Sequence, residues 1–130
     1  MKHTILPLLG LLALVFFTGC KSFNLPYDQD LRLTQLNAQT VPAASGITVR
    51  FNQTDKQVSG KAGCNGYSAP YTLKGSKLSF GTVNATKMTC PNQEWEDKFL
   101  AALAQVDEVR QVGNRYHLLG AGKTVAVLAQ

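Results

Sequence analysis

Cysteine, histidine and acidic residues are scarce in this sequence, and each scarcity removes a class of chemistry. Three cysteines and two histidines occur among 130 residues, and one histidine, His3, sits at the very start. Downstream only His117 remains, so a His/Cys metal centre with closely spaced ligands cannot be assembled. A Cys–His nucleophile and base pair would need His117, which alternates with Tyr116 and Leu118 and points to the opposite face of a strand. Of the acids, Glu94, Glu96 and Asp97 share one helix start and Asp28 and Asp30 precede the first strand, so no pair is offered across a glycosidase cleft. Their plain reading is capping, charge balance and solvation. The glycines at 60, 63 and 66 are not followed by Lys-Ser or Lys-Thr, which excludes a phosphate loop. The formal net charge is +5, yet Lys56, Lys61, Lys74, Lys77 and Lys87 are dispersed rather than run together. That pattern is a solvated surface or a contact with anionic headgroups or glycan, and argues against nucleic acid as a partner. There is no repeat, no low-complexity tract, and no apolar stretch of the roughly 20 residues that a bilayer span needs.

What the chain does carry at its start is a shorter apolar stretch, Ile5 to Phe17, behind a positive Lys2 and ahead of Thr18-Gly19-Cys20. This resembles a bacterial lipoprotein signal, so residues 1–19 are expected to be removed and Cys20 acylated. Several acyl chains would hold the protein stably to a membrane. Lys21 replaces the aspartate that commonly retains such proteins at the inner membrane, which points to the periplasmic face of the outer membrane. Residues 20–30, polar with Pro26 and without periodicity, read as a tether, and 31–130 as one small domain.

Cys64 lies inside the run "GKAGCNGYSAPY" (60–71), where a thiol could be a nucleophile, a metal ligand or half of a disulfide. Export favours the last, with Cys90 as the remaining partner. Gly63 and Gly66, with Asn65 between, suit positive backbone angles that kink the chain there.

Period-two alternation marks "LRLTQL" (31–36), "ITVRF" (47–51), "KLSF" (77–80) and "RYHLL" (115–119), "EVRQV" (108–112) leads into the last of these, and "TVAVLA" (124–129) is a β-rich closing run. Gly113-Asn114 predicts a tight hairpin. From Asn92 to Val106 the period changes: Trp95, Phe99, Leu103 and Val106 form the stripe of an amphipathic helix, Asn92 is the expected N-cap, and Trp95 and Phe99 are the expected plugs into the core. The fold class is mainly β: a small antiparallel curled sheet or partly open barrel with one amphipathic helix packed on it. Tyr67, Tyr71 and Tyr116 could line a ligand or partner surface, or fill the ends of the barrel.

In order, "GKAGCNGYSAPY", "KLSFG", "ATKMTC", Glu96 in "EDKFLAAL" and "GNRYHLL" resemble the META domain family, which includes HslJ-like bacterial lipoproteins; the likeness runs from about Leu31 to Leu128. Leu31 stands where the family often has tryptophan, and Ala69-Pro70 replaces a glycine, which bears on the chain after Tyr67. The resemblance implies antiparallel strands with one helix, implies that Cys64 and Cys90 face each other, and brings no enzymatic activity or cofactor. The expected function is a non-enzymatic, stress-linked accessory or binding module of the cell envelope. Its partners would be the membrane, through the lipid anchor, and an envelope protein or glycan. An inhibitor of an envelope hydrolase such as lysozyme, or a pilot lipoprotein holding an acyl chain or peptide beneath Trp95 and Phe99, are the alternatives.

Overall fold

The computed structural model describes residues 23–91 and 93–130. The signal segment, Cys20 and the helix cap Asn92 lie outside the described residues. Strands β1 (Leu31–Leu36), β2 (Gln39–Thr40), β3 (Thr48–Phe51), β4 (Gln57–Lys61), β5 (Gly66–Lys74), β6 (Lys77–Phe80) and β7 (Asn84–Ala85) precede helix α1 (Gln93–Leu103). Strands β8 (Glu108–Val112), β9 (Arg115–Gly120) and β10 (Lys123–Ala129) follow it. The expected class holds: every named strand pair is antiparallel, in the order β6-β5-β4-β3-β1-β10-β9-β8, with β2 beside β1 and β7 beside β5. Two meanders, one on each side of α1 in the sequence, are therefore joined by the pairing of β1 with β10. The helix connects them along the chain and packs against β1 and, through Phe99, against Tyr67 of β5.

The sheet curls because its ladders are broken in chosen places. Leu36 is out of phase with Leu31 and Leu33 in strict alternation, yet all three are buried, because a register shift between Leu33 and Gln35 against β10 restores it to the inner face. A second shift lies between Thr124 and Ala126 against β9. At Gly60 a Cβ would stand 2.2 Å from the Thr48 carbonyl oxygen, so only glycine lets β3 and β4 bend so close together.

At the place where Ala69-Pro70 departs from the family pattern, strand β5 passes unbroken through Tyr67, Ala69 and Tyr71, all buried. Pro70 survives inside it because the neighbour on one side changes there: β6 pairs as far as Tyr71 and β7 begins at Ser68. The proline ring needs no donor at that junction, and its carbonyl accepts the Gly81 N–H at 2.8 Å.

Phe51 is fully buried at the centre of one half, edge-on to Tyr71 (ring centroids 5.3 Å apart) and stacked on Phe80 (6.2 Å). Phe99 from α1 fills the other half, edge-on to Tyr67 at 5.3 Å. The free edges β6 and β8 approach each other and share two backbone hydrogen bonds, Leu78 N–H to Asp107 O (3.2 Å) and Val109 N–H to Ser76 O (2.8 Å). The sheet is thus curled and open, with its rims drawn together at one level.

The segment read as a tether is not one from Phe23 onward. Leu25 is 3 % exposed within the core, Tyr27 makes a parallel bridge to Phe51, the Asp28 N–H donates to the Phe51 carbonyl (2.8 Å), and Phe23 packs edge-on to Tyr116. Alternation could not reveal this, because Pro26 interrupts it and single anchors carry no period. Leu25→Ala is expected to lower unfolding stability by about 2–3 kcal/mol in denaturant titration; a tether residue would leave it unchanged.

Candidate functional site

The connection from β4 to β5 is Ala62-Gly63-Cys64-Asn65, closed by the Ala62 N–H on the Asn65 carbonyl at 2.8 Å. Gly63, at φ +128°, is the one residue of the motif in the glycine-favouring region. Gly66, expected there too, is ordinary strand, and a Cβ on it would meet nothing closer than 4.0 Å. The bend turns two successive amide groups outward, and both meet Glu96 Oε2: Cys64 N–H at 3.2 Å and Asn65 N–H at 3.1 Å.

Glu96 reaches them because Glu96, Phe99 and Leu103 stand at i, i+3 and i+7, one narrow face of α1, and all three are buried. The expected stripe began instead at Trp95, which drifts further around the helix with each step of four. Trp95 accordingly packs on the core from the flank, half-buried, with Lys98 Nζ 5.6 Å from its ring centroid. Reading Glu96 as a solvated capping residue was wrong. It is 3 % exposed, and the signal that could have revealed it was its place on the Phe99 side of the helix.

Asn65 completes the cluster at 1 % exposure. Its Nδ2 donates to Glu96 Oε1 and to the Met88 carbonyl (3.0 Å), and its Oδ1 accepts from Met88 N–H (2.8 Å) and Thr86 Oγ1 (2.9 Å). All four hydrogen-bonding positions of the side chain are occupied. Gln93 Nε2 adds a second donor to Glu96 Oε1 at 3.1 Å and also faces Asp97 Oδ1. This leaves Gln93 Oε1 buried without a protein partner among the described residues. Burial by itself pushes the Glu96 carboxyl up, but the hydrogen bonds from Asn65, Gln93 and the Cys64 N–H outweigh it, and the net shift is downward.

Beside this cluster Cys64 and Cys90 form a disulfide, Cα atoms 6.1 Å apart. It borders a cleft of about 280 Å³ lined by Ala44, Gly63, Pro91 and Trp95 as well as Glu96. His117 lies elsewhere, in β9 opposite Arg110 and Val127. The cleft therefore offers an acceptor-saturated carboxylate and a sulfur pair without a thiol, neither of them set up for proton transfer or attack. Among the described residues no three of His, Cys, Asp and Glu gather as metal ligands.

The three tyrosines do not make a ligand surface. Tyr67, Tyr71 and Tyr116 are 4 %, 3 % and 5 % exposed. The hydroxyls of Tyr67 and Tyr71 donate to the carbonyls of Thr48 and Asn52, each at 2.9 Å. Burial raises both phenols, Tyr71 to about 12 with the neighbouring Tyr27, Asp28 and Asp55 adding to it. They fill the interior, as the plainer reading of the sequence held.

The sequence pattern that defines the META domain matches residues 24–130. The chain belongs to the META domain family. A protein from Burkholderia xenovorans solved by NMR is 28 % identical, with a TM-score of 0.63 over 79 % of this chain and 81 % of that one. A second NMR structure, at 22 % identity and a TM-score of 0.59, covers 75 % of this chain and 86 % of its own, and shares the fold. No curated protein matches the sequence. In this META domain the sequence motif around Cys64 is the receiving half of a joint whose other half is the helix.

Two outcomes follow from that joint. Glu96→Gln sets an amide against backbone donors and should lower stability at neutral pH by about 2 kcal/mol. Because the folded carboxyl lies below its ordinary value of 4.5, the stabilisation is complete above that value and lost as pH falls through the folded one. Urea titrations from pH 7 to 3 should show this loss in the native chain and a flatter profile in the variant. Reducing the disulfide should remove about 3.5 kcal/mol by loop entropy while the circular dichroism spectrum of the sheet persists.

Proposed function

We propose that this META domain is a lipid-anchored, non-enzymatic module of the bacterial cell envelope, a rigid platform held at the periplasmic face of the outer membrane through Cys20. The observation that carries the non-enzymatic part is the commitment of Glu96, Asn65 and both described cysteines to the joint between helix and sheet. At the disulfide cleft, the carboxylate and the sulfurs are engaged in holding the fold. The anchor is supported by the order Lys2, apolar stretch, Thr18-Gly19-Cys20, and by how soon the folded domain starts after it, at Phe23.

The pilot reading loses its support, because it needs room beneath the helix. Phe99, Ala102 and Leu103 are no more than 2 % exposed, and Phe99 meets Tyr67 ring to ring. An acyl chain would have to displace the core. A platform of this kind acts through its surface, in recognition of another envelope component, and stress-linked expression would adjust its amount.

Intact-mass measurement of the protein extracted from membranes should find a chain beginning at Cys20 and carrying acyl groups. Cys20→Ala should abolish both the acyl mass and the cleavage ahead of residue 20, with the Cys64–Cys90 bond intact. An unmodified Cys20 in the membrane-extracted protein would overturn the anchor.

A further inference from the structure

Two hairpins stand side by side at one rim of the curled sheet. β5 turns into β6 at Gly75-Ser76 and β8 into β9 at Gly113-Asn114, and the Val109 N–H to Ser76 O bond ties the two together. Past that bond β8 runs on to Val112 with its backbone edge, Gln111 included, turned away from β9. The space there is a cleft of about 640 Å³ lined by Ser76, residues 109–113 and Phe23.

Cations are concentrated on the strands that flank this cleft. Lys74 and Lys77 face each other across the first hairpin, Val112 and Arg115 across the second, and Arg110 is on the same face as Val112 two residues back. All of them are exposed. Glu108, set opposite Lys77 by the two bonds that join β6 to β8, is the acid of the group and already accepts from Arg110 at 2.7 and 3.3 Å. Val112, 59 % exposed, stands among the cations. Lysines and arginines along a free edge oppose addition of another strand, so the edge is poorly suited to an extended peptide.

The chain enters the domain at this same place. Phe23 lines the cleft and packs on Tyr116, and it follows Cys20 by three residues, a span of at most about 10 Å. A lipid on Cys20 would therefore hold this rim, and not the opposite one with the disulfide, within reach of the headgroups.

We propose that the paired hairpins are a membrane-docking surface, in which Lys74, Lys77, Arg110 and Arg115 bind the phosphates of anionic phospholipids beside the anchor and Val112 enters the interface. The geometry rests on the anchored reading of Cys20. Docking fixes the domain's orientation, so that the helix and the disulfide cleft face away from the bilayer.

The test is hydrogen exchange on the full chain reconstituted in vesicles of phosphatidylcholine, with and without phosphatidylglycerol. Residues 109–116 and 73–78 should exchange about tenfold more slowly in the anionic vesicles, and high salt should remove the difference. Co-sedimentation of the chain lacking residues 1–20 with anionic vesicles should weaken about fivefold for each cation removed in Lys77→Gln, Arg110→Gln and Arg115→Gln. Lys61→Gln and Lys123→Gln should have no effect, and Val112→Ser should weaken binding without changing charge. An acylated chain whose hairpins exchange equally in both vesicles overturns the docking surface and leaves the anchor standing. Protected hairpins in a chain whose mass shows no acyl group uphold the surface and overturn the anchor. Protection of the hairpins by an acidic peptide without lipid would assign the surface to a protein and overturn the proposal.

Discussion

A buried carboxylate with nothing but donors around it is the constraint on which this domain depends. Glu96 is removed from water on the inner face of α1, and an ion in that position is strongly destabilising unless its lone pairs are met. They are met by two consecutive amides of a turn, one side-chain amide from Asn65 and one from Gln93. The turn must therefore keep its bend, which requires Gly63 at positive φ. Asn65 must keep its own geometry, which draws in Thr86 and Met88. One ion thus fixes the helix, the β4–β5 turn and the segment leading into the helix relative to one another.

The disulfide reinforces this joint from outside. It links the same turn to the same incoming segment, so the covalent and the electrostatic closure act on one loop. Their physics differs. The disulfide limits the unfolded chain, whereas the Glu96 cluster rewards only the folded one and weakens in acid. The apolar side of the joint is Phe99 against Tyr67, so removing water from the carboxylate and from the rings happens in one packing event. A fold with so many long-range strand pairs, β1 with β10 above all, benefits from having its crossover helix locked in register.

The two rims of the curled sheet have different characters. One is closed by the turn, the disulfide and the helix start. The other is where Phe23 enters, where β6 and β8 separate and where basic hairpins stand free.

Strand and helix identity were written locally, in the alternation of Leu31-Leu33, Val49-Phe51 and Tyr116-Leu118 and in the change of period at Gln93, because backbone geometry is read over a few residues at a time. The META family was legible for the same reason, in short motifs kept in order along the chain. The pairing of Cys64 with Cys90 was a matter of inventory. Other properties needed the assembled fold. Trp95 and Glu96 are neighbours in sequence, and only the direction in which α1 meets the sheet decided that the carboxylate goes in and the indole stays at the flank. Leu25 reads as part of a polar lead-in until Phe51 is brought beside it, and Lys74, Lys77, Arg110 and Arg115 are dispersed until two hairpins align. Burial and charge density belong to pairs of surfaces, and a surface exists only once distant segments have met.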